Sequence, residues 1–95
     1  MIIESNDVCV VTGDETRFES SFTQVASLLL RVPGCKSAEL LRCVEEPGRY
    51  QVRICWARLE DHVDIYPKTS EALQIRALLA PLIASARGGH FEIVA

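Results

Sequence analysis

No block of lysine or arginine occurs anywhere in this sequence. The 95 residues carry 10 Lys and Arg against 13 Asp and Glu, a formal net charge of −3. The basic footprint of a nucleic-acid-binding surface is therefore missing. Long apolar runs are missing too: none approaches the ~20 residues that a membrane-crossing helix needs. Met1-Ile2-Ile3-Glu4 has no basic stretch ahead of its apolar residues, so it does not read as a secretory leader. Neither nucleic acid nor membrane is expected as a partner, and the cytoplasm is the expected location. The four cysteines, Cys9, Cys35, Cys43 and Cys55, include no C-x-x-C pair, which argues against a zinc knuckle or redox pair. In a reducing compartment they read as small buried hydrophobes.

The supply of hydrophobic residues is generous by contrast. They make up 48% of the chain. A domain this small buries only about 60–65% of the surface its unfolded chain exposes. Some of the apolar surface is thus expected to face a partner.

The pattern along the chain gives four strands and two helical regions. Ile2 to Val11 reads as a first strand, with Val8-Cys9-Val10-Val11 its β-prone part. Glu4 to Asp7 is polar on both faces, so weaker pairing and a bulge are expected there. Thr12 and Glu15 have capping-box spacing, and Asp14 is an equally good N-cap. Phe18, Phe22, Val25, Leu29 and Val32 then recur at helical spacing and mark one buried stripe. Pro33-Gly34 ends that helix. Cys35 to Glu46 and Tyr50 to Ala57 read as strands joined by the Pro47-Gly48 turn, an antiparallel hairpin. Tyr50, Val52, Ile54 and Trp56 share one face. A short helix opens at Leu59, Pro67 interrupts it, and a second helix is predicted from about Glu71 to Leu79, with Ala72, Ile75 and Leu79 inward. Gly88-Gly89 reads as a loop before a last strand, His90 to Val94.

The order βαββαβ is the ferredoxin-like split unit. Right-handed crossovers put both helical regions on one face of a four-stranded antiparallel sheet. The opposite face then needs a cover, and a second copy of the same sheet is the economical one. One domain spanning residues 1–95, an α+β fold, is the expectation.

At this point the residues resemble a known family. Leu40-Leu41-Arg42-Cys43-Val44-Glu45-Glu46-Pro47-Gly48-Arg49-Tyr50, then Trp56 and Leu59-Glu60-Asp61-His62, are similar to the antibiotic-biosynthesis monooxygenase domain. Arg76 to Pro81 and His90-Phe91 fit as well. The resemblance implies a dimeric α+β barrel, two ferredoxin-like subunits joined through their sheets. It also implies kinship with small oxygenases that oxidise aromatic or quinol-like molecules without metal or flavin. No cofactor is expected on that basis. The second helical region departs from the usual pattern: Tyr66-Pro67, Ala72 and Ile75 stand where relatives often have aromatic or basic residues. A pocket here is therefore expected to be more aliphatic. The haem-degrading branch pairs an Asn on the first strand with a Trp and a His in the second helix. Asn6 is in place, but Glu71 to Leu79 carries neither partner, which points away from haem cleavage.

His62 is the leading candidate. Imidazole titrates near neutrality, so it can take a proton from a phenol or quinol. Tyr66, four residues on, shares its helical face. Trp56 could wall a pocket or serve as a core residue. Arg76 could steady a developing oxyanion, or pair with Glu60, Asp61 or Glu92. Phe22, Asn6 and His90 complete the expected substrate-binding set. A metal held by His62 and His90 lacks an evident third ligand. Two functions compete: a cofactor-independent monooxygenase, with His62 and Arg76 catalytic, and a non-catalytic dimeric module that binds a small apolar ligand.

Overall fold

The computed structural model describes residues 1–95. Strand β1 (Ile2–Val10) leads into helix α1 (Glu15–Leu29), followed by β2 (Cys35–Arg42) and β3 (Arg49–Trp56). A π-helical turn (Asp61–Ile65) and a 3-10 turn (Tyr66–Lys68) precede α2 (Ser70–Leu79). A further 3-10 turn (Ala80–Leu82) ends in β4 (Ile83–Phe91). All pairings are antiparallel, and the sheet order is β2-β3-β1-β4. This is the expected ferredoxin-like arrangement. No helix is long and apolar enough to cross a membrane.

The core lies between one sheet face and the helices. The predicted stripe of α1 is buried throughout, with Phe18, Phe22, Val25 and Leu29 joined by Leu28. It packs on Val8, Val10, Tyr50, Val52, Ile54 and Trp56 from the sheet. Burying each large side chain contributes about 1.5–3 kcal/mol. α2 adds Ile75, and the turn after it adds Leu82. Glu19 fastens α1 to the hairpin. It accepts bonds from Arg42 Nη2 at 2.7 Å and from the Tyr50 hydroxyl at 2.5 Å.

Several details differ from the sequence reading, each for a local reason. The polar stretch Glu4 to Asp7 pairs without interruption on both sides, and the bulge falls at Cys9/Val10 instead. β1 is the strand between β3 and β4, so its backbone is held whatever its side chains are. Asp14 sits at the N-cap of α1, but neither its side chain nor that of Thr12 makes the capping bond. Glu15 accepts from the Gly13 N–H at 3.0 Å instead. β2 stops at Arg42, because the Pro47-Gly48 turn takes up the residues after it, with Gly48 at φ +83°. Only glycine adopts that region freely. The cysteines are not fully buried: Cys9 is exposed, Cys43 and Cys55 are half-buried, and Cys35, also half-buried, packs against the core. Cys9 and Cys55 fall on the sheet face turned away from the helices.

The largest correction concerns Gly88-Gly89. They lie inside β4, which starts at Ile83 and ends at Phe91, so the loop before His90 does not exist. The reason is spatial. Gly88 pairs with Asn6, and a Cβ at Gly88 would overlap the Asn6 amide oxygen. A glycine inside a strand here marks the close approach of a side chain from the neighbouring strand.

The other sheet face bears no helix of this chain. It presents Ile3, Leu41, Cys55 and Phe91, interspersed with Asp7, Glu39, Arg53 and Arg87. Arg53 pairs with Glu39 at 3.5 Å, and Arg49 with Asp7 at 3.4 Å. The face is thus mixed in character, with more charge than a purely apolar surface would carry.

Candidate functional site

A buried carboxylate organises the site, and it was absent from the sequence-derived candidates. Glu4 lies on β1 on the same face as Val8 and Val10, only 9% exposed. A charged group in that position must be paired and hydrogen-bonded to be tolerated. Its partners are three. The Trp56 indole N–H donates to Oε1 at 3.0 Å, and the Asn6 amide donates to Oε2 at 2.8 Å. His62 Nε2 stands 3.2 Å from Oε1, within ion-pair reach. The only sequence signal for Glu4 was its register, which sets it on the face that Val8 and Val10 also occupy.

Local chain geometry brings His62 to this point. The Tyr66 N–H bonds back to the Asp61 carbonyl, closing a π-helical turn over Asp61 to Ile65. Such turns re-aim side chains and recur at functional sites. The buried Asp61 anchors the turn, accepting from the Arg58 backbone N–H at 3.0 Å and from its guanidinium at 3.1 Å. Gly34, at φ +89°, leaves room for the Asp61 carboxylate, which a Cβ there would overlap. Its carbonyl accepts from Ala57 N–H at 2.8 Å, fixing the end of β3.

The aromatic rings gather around His62. Its ring stacks on Trp56, centroids 5.3 Å apart and planes within 19°. Tyr66 approaches both rings at 5.7 Å. Trp56 has no exposed surface, so it is a floor beneath His62. The remaining ring nitrogen of His62, Nδ1, lies 2.7 Å from His90 Nε2. His62 thus has a charged or titratable neighbour beside each ring nitrogen: Glu4 within ion-pair reach of Nε2, and His90 in hydrogen-bonding contact with Nδ1. His90 reaches the cluster because it pairs with Glu4 across β1 and β4, while its own residue is exposed. No trio of His, Cys, Asp or Glu is arranged to hold a metal ion.

The electrostatics follow from burial. Desolvation pushes the His62 pKa below its ordinary value; the Glu4 carboxylate opposes that shift, and His90 adds to it. Tyr66 is pushed up to about 12, first by burial and then by Glu4, with Arg76 pulling the other way. Its phenol thus stays protonated at neutral pH. Cys35 is pushed up by burial and by Glu4, which leaves its thiol unreactive.

Two neighbouring hollows adjoin the cluster. An inner one of about 160 Å³ has Glu4 and Asn6 on its wall, together with Phe22, Val52 and Ile54. An outer one of about 450 Å³ is bordered by His62, Pro67, Ala72, Leu73 and Arg76. They share Tyr66, Ile75, Leu79 and Ile83. The structure thus brings His62, His90, Tyr66, Trp56 and Asn6 together, places Phe22 on the inner hollow, and sets Arg76 on the outer rim. Arg76 is exposed, and none of the ion pairs foreseen with Glu60, Asp61 or Glu92 forms. The walls from α2 are aliphatic, as the sequence suggested.

This chain is similar to proteins that share both its pattern and its shape. A family model described as antibiotic biosynthesis monooxygenase matches residues 1–78. The uncharacterized protein YczJ of Bacillus subtilis is 32% identical over 79 residues, which is 83% of each chain. A Bordetella bronchiseptica structure assigned to the antibiotic biosynthesis monooxygenases superposes with a TM-score of 0.94 at 26% identity, covering 99% of this chain and 97% of that one. SnoaB, a cofactor-independent oxygenase from Streptomyces nogalater, has a TM-score of 0.86 at 22% identity, covering 99% and 93%. At 22% identity the likeness to SnoaB is one of fold. By sequence, through the family model and YczJ, this chain belongs to the antibiotic biosynthesis monooxygenase family.

Proposed function

We propose that the protein is a cofactor-independent monooxygenase acting on a small aromatic or quinol-type molecule. The observation that carries this reading is the Glu4–His62–His90 cluster, running from a buried carboxylate to an exposed imidazole, beside hollows whose walls are mostly apolar. The substrate lies in the outer hollow with its reacting carbon turned inward. The cluster removes a proton, and the resulting electron-rich carbanion adds to dioxygen. The peroxide takes a proton back and loses water, leaving a carbonyl. In balance, a ring carbon that carries two hydrogens in the keto tautomer of the substrate gives up both, and one molecule of dioxygen is consumed. One oxygen atom becomes the carbonyl oxygen, and the other leaves in water with the two hydrogens. All the electrons that reduce dioxygen come from the substrate carbon. Arg76, at the rim, steadies the developing negative charge. Apolar walls keep water from the carbanion.

The protein works as a homodimer in the cytoplasm, its uncovered sheet face joined to that of a second copy. Support comes from that face's exposed Phe91 and Leu41, which single subunits leave in water.

Oxygen uptake with a panel of quinols and polyphenols tests the chemistry. Turnover by the wild type that falls in His62→Ala supports it; equal uptake by both proteins overturns it. The second reading is a binding module without turnover. The observation in its favour is that α2 contributes no aromatic side chain to the hollow. It predicts that a small apolar ligand raises the melting temperature while oxygen uptake stays at background.

A further inference from the structure

Neither ring nitrogen of His62 stands alone in this arrangement. Nε2 faces Glu4 and Nδ1 faces His90. The hydrogen-bonding group of the cluster that faces the inner hollow is instead the Glu4 carboxylate, beside the Asn6 amide. At the far end, His90 is exposed on β4. We propose that Glu4, His62 and His90 form one proton relay, with Glu4 at the end facing the hollow, His62 as the middle link and His90 as the exit to solvent. This rests on the functional reading above and names the groups that move its protons.

The 2.7 Å contact between the two rings requires a proton on one of the facing nitrogens. Two tautomer sets satisfy it, and the reaction needs both. In the first, each ring carries its proton on Nδ1. Glu4 takes the substrate proton and passes it to His62 Nε2. His62 releases its Nδ1 proton to His90 Nε2, and His90 gives its own Nδ1 proton to water. Each ring now carries its proton on Nε2, and Glu4 is again a carboxylate. The second transfer runs inward. His90 takes a proton from water on Nδ1, hands its Nε2 proton to His62, and His62 hands its own to Glu4, which protonates the peroxide. One outward and one inward transfer restore the starting set. The charged or titratable groups around the middle link are Glu4 from β1, Tyr66 from the 3-10 turn, His90 from β4 and Arg76 from α2. Tyr66, held protonated by burial and by Glu4, does not change charge near neutrality.

Nitrogen-15 histidine NMR across a pH series tests the relay without a substrate. In the wild type the two rings titrate as a coupled pair, each sensing the other. His90→Ala moves the His62 midpoint up, because one repelling charge is gone. Glu4→Gln moves it down, because the favourable carboxylate is gone. A His62 curve unchanged in both variants overturns the relay, and so do two independent single-site curves in the wild type. His90 is exposed, so that variant keeps the fold if the buried Glu4→Gln does not. In the oxygen-uptake assay, Glu4→Gln lowers kcat by about 10²–10⁴-fold. His90→Ala lowers kcat at constant KM, and added imidazole restores it. A Glu4→Gln protein with wild-type kcat overturns the placement of Glu4 at the hollow. Coupled titration with no turnover of any quinol supports the relay and overturns the oxidation reading instead.

Discussion

Replacing Trp56 by phenylalanine separates the two roles of that residue. The indole is fully buried, stacks on His62, and donates to the Glu4 carboxylate at 3.0 Å. Phenylalanine keeps an aromatic ring beneath His62 but cannot donate. A hydrogen bond to a charged acceptor is worth about 1.5–3 kcal/mol. The smaller ring also leaves a gap in a close-packed site, which costs on the order of 1–3 kcal/mol. The sum, about 2.5–6 kcal/mol, is a large share of the stability of a domain this size. Urea denaturation at neutral pH, followed by circular dichroism, reads it as a lower midpoint at constant slope. Glu4→Gln then completes a double-mutant cycle. A glutamine oxygen still accepts from the indole, but as a neutral bond worth about 0.5–1.5 kcal/mol, so the cycle yields a coupling of about 1 kcal/mol. A coupling indistinguishable from zero refutes the idea that the indole N–H bond to the carboxylate stabilises the site. A loss under about 1 kcal/mol for Trp56→Phe alone refutes the packing argument as well.

Other expectations follow from the same contacts. Arg42 and then Tyr50 hold Glu19 well below the ordinary carboxylate range, from 4.5 to about 2. A depressed carboxylate stabilises the fold above its unfolded pKa, and that stabilisation is lost as pH falls from about 4.5 towards 2. Glu19→Gln should therefore lower the urea midpoint at pH 7 and converge with wild type in strong acid; an offset that persists at the acid end refutes the clamp. Gly88→Ala should keep the fold but push Asn6 away from Glu4, at a cost of about 1–3 kcal/mol. Thermal denaturation measures the cost, and an unshifted Asn6 side-chain amide signal in NMR refutes the displacement. Arg76→Ala should change stability by less than about 0.5 kcal/mol, since Arg76 is exposed and outside every ion pair. It should lower kcat for any quinol turned over, and an unchanged kcat removes Arg76 from the charge-stabilising role.

The fold was legible where side-chain periodicity and burial coincide. The stripe Phe18, Phe22, Val25, Leu29 and Val32 is buried as its spacing requires, and Tyr50, Val52, Ile54 and Trp56 form one face of β3. The site was legible through residues whose chemistry is rare in this chain: the two histidines, the tryptophan and Tyr66. Glu4 was not, because a glutamate among Ser5, Asn6 and Asp7 looks like solvated polarity until the helices cover its face. Gly88-Gly89 misled for the opposite reason. Glycine pairs break strands when they act alone, but Gly88 answers to Asn6, a side chain from the opposite end of the sequence. Contacts that distant in sequence leave no local trace.

The sheet order has a consequence for how long the relay stays assembled. Glu4 and Asn6 sit on β1, bonded to neighbours on both sides, whereas His90 sits on β4, which has a neighbour on one side only. Edge strands open locally far more often than strands paired on both sides. Amides of β1 should therefore exchange with deuterium slowly and those of β4 near Gly88 and Gly89 faster. Each such opening lifts His90 away and leaves the carboxylate in place, so the path to solvent is broken intermittently while the inner end remains set for the next encounter.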